Sequence, residues 1–125
     1  MVNSRTKGSA FERIIARALF EELGIKFVRD LRQYQQAQFG DLVTDDPAWP
    51  YVLELKRYRN GPIGGLTAWW EQVERAAANA KQIPVLIYKY DRAPIRVVLM
   101  LMGVKADVSF EDFCYLAREK MNERF

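Results

Sequence analysis

An eight-residue stretch rich in Val, Leu and Tyr, YVLELKRY at positions 51–58, predicts a β-strand in the interior of a sheet. Glu54 and Lys56 nevertheless stand in the middle of this strand. Ionised side chains are costly to bury unless a partner compensates their charge. Because side chains two residues apart share one face of a strand, we expect Glu54 and Lys56 to be neighbours. The fold must therefore place this pair where something balances its charges.

Composition excludes several classes of protein. The chain has 125 residues, half of them hydrophobic, so we expect one domain spanning residues 1–125. It contains no His, which excludes Ser-His-Asp and Cys-His catalysis and most zinc sites. Its single cysteine, Cys114, excludes an internal disulfide and suits a reducing cytoplasm. No apolar run reaches the roughly 18 residues that cross a bilayer, so we expect no membrane partner.

The net charge is only +3, but Arg5, Lys7, Arg13 and Arg17 lead the chain, whereas Glu111, Asp112, Glu119 and Glu123 lie near its C-terminus. This asymmetry predicts a basic face for a polyanion such as DNA, with ordinary solvated surface charge as the alternative. The candidate DNA-binding residues are Arg5, Lys7, Arg13, Arg57 and Arg59.

The first predicted helix covers residues 9–24. Ser9 is a candidate N-cap, with Glu12 completing a capping box, and Gly24 is a good helix stop. Helical spacing predicts an apolar face formed by Phe11, Ile14, Ile15, Ala18 and Leu19.

The rest of the chain gives the predicted order α-β-β-β-α-β-β-α. Thr67 and Ser109 are candidate caps of the second and third helices. The second helix is expected to bury Trp69, Val73, Ala76, Ala77 and Ala80. The fold class is therefore α/β or α+β with a mixed sheet. The predicted strands are 25–30, 39–44, 51–58, 84–90 and 95–101, the helices are 66–82 and 109–125, and residues 33–38 form a loop.

A second carboxylate belongs to the strand before YVLELKRY. If the two strands form a hairpin, Asp41 approaches Glu54, and two carboxylates and a lysine meet at one end of the sheet. Close carboxylates require either a shared proton or a divalent ion. Without His, such an ion has to be hard, with Mg²⁺ favoured and Mn²⁺ as the alternative. Metal, water and a cationic side chain suit phosphodiester hydrolysis, whereas a Glu54–Lys56 ion pair on an open face is the structural alternative.

The order of these motifs resembles the PD-(D/E)xK nucleases. The matching pieces are GD at 40–41 and ELK at 54–56, and Gly40 stands where the motif name has Pro. KGSAFER at 7–13, IKFVRD at 25–30 and a Gln-bearing helix resemble in particular the archaeal-type Holliday-junction resolvases and their phage relatives. This resemblance implies a restriction-endonuclease-like fold, with an α-β-β-β-α-β core followed by a C-terminal strand and helix.

The resemblance also implies residue roles. Asp41 and Glu54 would hold the metal with the Leu55 carbonyl, and Glu12 would be an outer acidic residue of that site. Lys56 would be the catalytic lysine. Gln72 would be the helical glutamine near the site. Each role has a structural alternative: Glu12 also fits a capping box, and Gln72 fits an ordinary helix surface.

Three functions follow from this interpretation. The leading one is a metal-dependent DNA endonuclease acting on branched DNA. The others are a repair, phage or restriction-like nuclease acting on duplexes or ends, and a DNA-binding accessory domain without catalysis. Because resolving a four-way junction needs two symmetric cuts, we also expect a homodimer. Adjacent Trp69 and Trp70, together with apolar residues near the C-terminus, offer material for its interface.

Overall fold

In the computed structural model, the described part of the chain comprises residues 4–30 and 40–123, with side chains from residue 8 onward. The loop predicted at 33–38 lies outside these residues. The helices are α1 (Ser4–Leu23), α2 (Thr67–Ala80) and α3 (Phe110–Asn122). The strands are β1 (Val28–Arg29), β2 (Leu42–Val43), β3 (Tyr51–Tyr58), β4 (Ile83–Tyr90), β5 (Arg96–Leu101) and β6 (Val104–Ser109).

The six strands form one mixed sheet in the order β1-β2-β3-β4-β5-β6. Neighbours are antiparallel except β3 and β4, which run parallel from Tyr51 opposite Ile83 to Tyr58 opposite Tyr90. Parallel strands need a crossover, and α2 supplies it. The predicted α/β fold with a mixed central sheet is therefore confirmed.

Two apolar layers hold the helices on opposite faces of the sheet. One layer joins α1 and α3 to the sheet face that carries Leu53 and Leu55. The other joins α2 to the face that carries Val52. Alternation along β3 therefore sends its apolar residues to both helical layers and leaves Glu54 on the α2 side. None of the described helices is long and apolar enough to cross a membrane.

The predicted element list missed β6. Its strand follows a two-residue turn at Met102 and Gly103, whose φ angles of 51° and 81° are the positive values that join twisted hairpin strands. The predicted strand correctly ended at Leu101, but residues 102–108 were assigned to no element, since Met102 gives no turn signal. The third helix starts at Phe110, and its predicted cap is confirmed: Ser109 Oγ accepts from Asp112 N at 3.0 Å.

Two other predicted caps are wrong. Helix α1 begins five residues before Ser9, whose hydroxyl instead accepts from the Arg13 guanidinium at 3.1 Å. Glu12 therefore has no capping box. Thr67 is the first residue of α2, and the capping position is Leu66, without a side-chain bond. The stop at Gly24 is confirmed, with φ of 71° directly after α1.

The apolar faces were predicted with two errors. Phe11, Ile15 and Leu19 are buried, but Ile14 is 56% exposed. On α2 the better-buried tryptophan is Trp70, at 6% exposure, while Trp69 is half-buried against the layer's edge. Helical spacing gives the width of an apolar face, whereas tertiary packing decides which of two adjacent residues points into the core.

Candidate active site

Asp41 is fixed between two strands at the start of β2. Its backbone N–H donates to Leu53 O at 2.8 Å, and its carbonyl accepts from Asp30 N at 3.1 Å. Its side-chain Oδ2 accepts from Leu55 N at 2.7 Å. The β2–β3 pairing places Leu42 opposite Leu53, which confirms the predicted hairpin. The carboxylate of Asp41 is therefore directed at the middle of β3.

Glu54 directly precedes Leu55 on β3, and its side chain is only 4% exposed. The Gln72 amide from α2 approaches Glu54 Oε2 at 3.5 Å, a long hydrogen bond. Lys56, half-buried on the same face, is close enough for its charge to lower the pKa values of both Asp41 and Glu54. Strand β3 and the start of β2 thus bring the Asp41 and Glu54 carboxylates and the Lys56 side chain together at the edge of the α2 layer.

Glu12 reaches the same place from α1. It is 9% exposed, and Arg29 of β1 donates to its Oε2 at 2.5 Å. Burial raises the pKa of Glu12, the Arg29 bond opposes this, and the nearby Asp41 charge raises it further. Glu12 is therefore a charged neighbour of Asp41 that already has a cationic partner.

These side chains border one open cleft of about 280 Å³. It contains all five candidate catalytic residues proposed from the sequence. The lining is Gly8, Glu12, Asp41, Glu54, Leu55, Lys56, Arg57, Tyr58 and Gln72. A larger depression of about 620 Å³ lies near Trp49 and Lys81, at the other end of the β3–β4 pair, and contains none of them.

The negative charges of the two carboxylates repel each other. Burial, and then the neighbouring Asp41 charge, raise the pKa of Glu54 to about 8. Burial also raises the pKa of Asp41, against the opposing bond from Leu55 N. At neutral pH the pair therefore retains a proton unless another cation replaces it. A pair of close acids, with Glu54 buried and Asp41 half-buried, in an open cleft is typical of a functional site.

Comparison with known proteins identifies the family. A family model described as "Phage putative PDDEXK endonuclease" matches residues 3–122. The chain belongs to this phage PD-(D/E)xK endonuclease family. Among solved structures, Hjc, a Holliday junction resolvase from Archaeoglobus fulgidus, matches with a TM-score of 0.56 and 17% identity. That match covers 93% of this chain and 99% of Hjc, and shows a shared fold. No curated protein matches the chain.

The carboxylate pair of this PD-(D/E)xK chain fits a divalent ion. Among the described residues, no group of three or more His, Cys, Asp or Glu side chains is arranged as a metal-binding set. The candidate ligands in the cleft are thus the Asp41 and Glu54 carboxylates, and the role of the Leu55 carbonyl stays a prediction. Mg²⁺ commonly binds through one or two carboxylates and keeps several waters. Burial raises the pKa values of both acids because it disfavours their ionised forms. A bound divalent ion would compensate the two negative charges.

The structure describes three of the five candidate DNA-binding side chains. Arg13 and Arg59 are exposed. Arg57 is paired with Asp91 at 2.6 Å, so its charge is partly used inside the protein. The side chains of Arg5 and Lys7 lie outside the described part. Contact of these residues with DNA remains a prediction.

Sequence reasoning missed two residues at the site. Arg29 ends the predicted strand IKFVRD, but its pairing with Glu12 depends on how α1 packs beside β1. Tyr58 borders the cleft and is 42% exposed. Alternation could have found Tyr58, since it shares a strand face with Glu54 and Lys56.

Gly40 explains the departure from the Pro of the family motif. Its φ of 83° is closed to proline, and a Cβ there would lie 2.7 Å from Leu53 O. We expect Gly40→Ala to lower the free energy of unfolding by about 3 kcal/mol, through strain and a backbone clash. Gly24→Ala is the matched control: its φ is also positive, at 71°, but the space is open, so about 1 kcal/mol is expected. Urea unfolding measures both, and equal losses would contradict the clash.

The acid pair predicts an unusual pH dependence of stability. Since the folded pKa of Glu54, about 8, exceeds its unfolded value near 4.5, its contribution is complete below pH 4.5 and lost as pH rises through 8. The raised pKa of Asp41 acts in the same direction. We expect Glu54→Gln to flatten this decline in EDTA, measured by urea midpoints. Glu71→Gln, which changes an exposed carboxylate on α2, should leave it unchanged. An equally steep decline in Glu54→Gln would contradict the assignment.

Proposed function

We propose that this chain is a metal-dependent DNA endonuclease that hydrolyses phosphodiester bonds in branched DNA. The observation that carries this proposal is the Asp41–Glu54 carboxylate pair, which shares an open cleft with Lys56. Membership of an endonuclease family supports hydrolysis. The fold shared with Hjc, itself a Holliday junction resolvase, supports the branched substrate.

In this proposal, Asp41 and Glu54 hold a divalent ion, Mg²⁺ with Mn²⁺ as the alternative, aided by the Leu55 carbonyl. The ion supplies positive charge that stabilises the charge developing on the phosphate. The bond from Leu55 N orients one Asp41 oxygen, and Gln72 orients Glu54 from α2. These contacts fix both carboxylates before substrate arrives, so little reorganisation is needed during the reaction.

Lys56 acts on the water or on the phosphate. Its half-buried position beside both carboxylates allows its ammonium group to orient the attacking water or to stabilise developing negative charge. Glu12, neutralised by Arg29, supports the acidic wall as an outer residue without adding a full uncompensated charge. Arg57 at the cleft and the exposed Arg13 and Arg59 contribute phosphate contacts, and Arg5 and Lys7 are predicted to do the same.

A nuclease specific for linear duplexes or ends is the second candidate. The family description is compatible with both candidates, because it names an endonuclease without naming a substrate. End-labelled four-way junctions and linear duplexes of the same sequence, incubated with Mg²⁺, discriminate the candidates. Cuts near the branch support the proposal. Equal cutting of both DNAs supports the second candidate, and binding without cutting supports an accessory DNA-binding domain.

We further propose a homodimer, since symmetric resolution needs two sites and each chain contributes one cleft. The apolar residues that suggested an interface are largely used inside the monomer: Leu99, Phe113, Cys114 and Trp70 are all at least 94% buried. Exposed Met100, Met102 and Val104 around the β5–β6 turn offer other apolar surface. Light scattering should give twice the chain mass at micromolar concentration. A monomeric mass, with junctions nicked on one strand only, would contradict the dimer.

A further inference from the structure

Two stacked aromatic rings stand beside the cleft. Tyr58 of β3 and Trp69 of α2 have ring centroids 5.1 Å apart and an interplanar angle of 20°. Tyr90 lies behind them, 6.3 Å from Trp69. Tyr58 is 42% exposed, and it shares its face of β3 with Lys56. The outer ring of this stack therefore faces solvent at the border of the catalytic cleft.

The loop between β3 and α2 presents an exposed apolar side chain. Gly65 N donates to Pro62 O at 3.2 Å, and Gly64 has φ of 87°, as in a type II turn. Ile63 occupies the turn's outer corner and is fully exposed, at 106%.

The base of this loop packs on the same aromatic group. A Cβ on Gly61 would lie 3.1 Å from the Tyr90 ring, so the backbone there approaches the ring closely. The turn that carries Ile63 thus starts from a segment that packs on Tyr90, whose ring centroid lies 6.3 Å from that of Trp69. The intervening Arg59 is exposed, and Arg57 offsets the charge of nearby Asp91. The charges around the loop therefore do not repel the phosphates of a DNA strand.

We propose that Tyr58, Ile63 and Trp69 form one surface, the β3–α2 shelf, which binds an unstacked nucleobase next to the scissile phosphate. This inference rests on the proposed function, because it takes the neighbouring cleft as the place of the phosphodiester bond. Tyr58 and Trp69 offer a stacking platform, which accepts any base through its flat face. Ile63 enters the gap that the base leaves, as apolar wedges do in other DNA-binding proteins.

The shelf explains a preference for branched DNA without sequence reading. Removing a base from an intact duplex costs a few kcal/mol, and least where the base is already unpaired. A gap or bulge presents such a base, and the base pairs at an open branch point lack a stacking neighbour on one side, whereas a linear duplex has to be distorted first. Specificity thus comes from the cost of unstacking, and the acidic cleft then acts on the adjacent phosphate.

Fluorescence anisotropy in EDTA tests the shelf without cleavage. The probes are a linear duplex and the same duplex with one unpaired nucleotide at its centre. Wild-type protein is expected to bind the second more tightly. Ile63→Ser and Tyr58→Ala should each reduce that preference by about tenfold. Tyr58→Phe keeps the stacking ring and should retain it. Phe20→Ser is the matched control, because it also removes an exposed apolar side chain, 55% exposed, but on α1.

Two outcomes would overturn the shelf: equal binding of both probes by wild-type protein, or variants that weaken both affinities by the same factor. Thermal unfolding of each variant accompanies the titration. Because the Ile63 side chain is fully exposed, its replacement tests the shelf even if Tyr58→Ala unfolds. A parallel cleavage assay with Mg²⁺ separates the two proposals. Absence of cleavage by wild-type protein rejects the endonuclease, whereas cleavage without a binding preference rejects only the shelf.

Discussion

Asp41→Asn is expected to lower the rate of DNA cleavage by about 10³-fold or more while leaving DNA binding largely intact. The amide keeps the shape of the carboxylate, and its oxygen can still accept the bond from Leu55 N. It cannot supply the negative charge that holds a divalent ion. Single-turnover cleavage with Mg²⁺ measures the loss. Asp45→Asn, which changes an exposed carboxylate after β2, is the matched control and should cleave normally.

The same substitution has a second readout. Since the Asp41 charge raises the pKa of Glu54, its removal should lower that pKa and stabilise the metal-free protein at pH 8. A variant that is more stable and inactive is the expected signature of a site built for function. Wild-type cleavage by Asp41→Asn, or a less stable protein at pH 8, would contradict the assignment of Asp41.

Lys56→Met is expected to reduce turnover by about 10²-fold or more, because the attacking water or the developing charge loses its cation. The substitution keeps an apolar stem in a half-buried position, so the fold should persist. Removal of this cation should also raise the pKa values of Asp41 and Glu54 further and weaken metal affinity.

Lys89→Met is the matched control for Lys56. Lys89 is also half-buried, but it lies on β4 and its ammonium group donates to Tyr90 O at 3.2 Å. Its replacement should leave turnover within a small factor of wild type. Loss of the folded state in Lys56→Met, seen by circular dichroism, would instead favour a structural Glu54–Lys56 ion pair.

The chemical centre of the site was predictable because it depends on local rules. Alternation along β3 fixes Glu54 and Lys56 on one face, and a short turn makes β2 the partner of β3, which brings Asp41 to Leu55. Gln72 was placed by family resemblance, and its amide lies 3.5 Å from Glu54 Oε2.

The surroundings of the site depend on tertiary packing and were not predictable. Arg29 meets Glu12 only because β1 and α1 converge over the sheet edge. Whether Trp69 or Trp70 enters the core depends on the rotation of α2 over β3 and β4, and the sequence pattern allowed both. Strand β6 was missed because its turn uses Met102, a residue with no preference for positive φ.

Supercoiled plasmid DNA tests the central claim most directly, because one hydrolysed phosphodiester bond converts it to the relaxed form. Purified wild-type protein is expected to relax or linearise the plasmid with Mg²⁺ and to leave it supercoiled in EDTA. Asp41→Asn, purified in parallel, should leave it supercoiled in both conditions. Relaxation that persists in EDTA, or equally in Asp41→Asn, would contradict a metal-dependent nuclease site at Asp41 and Glu54.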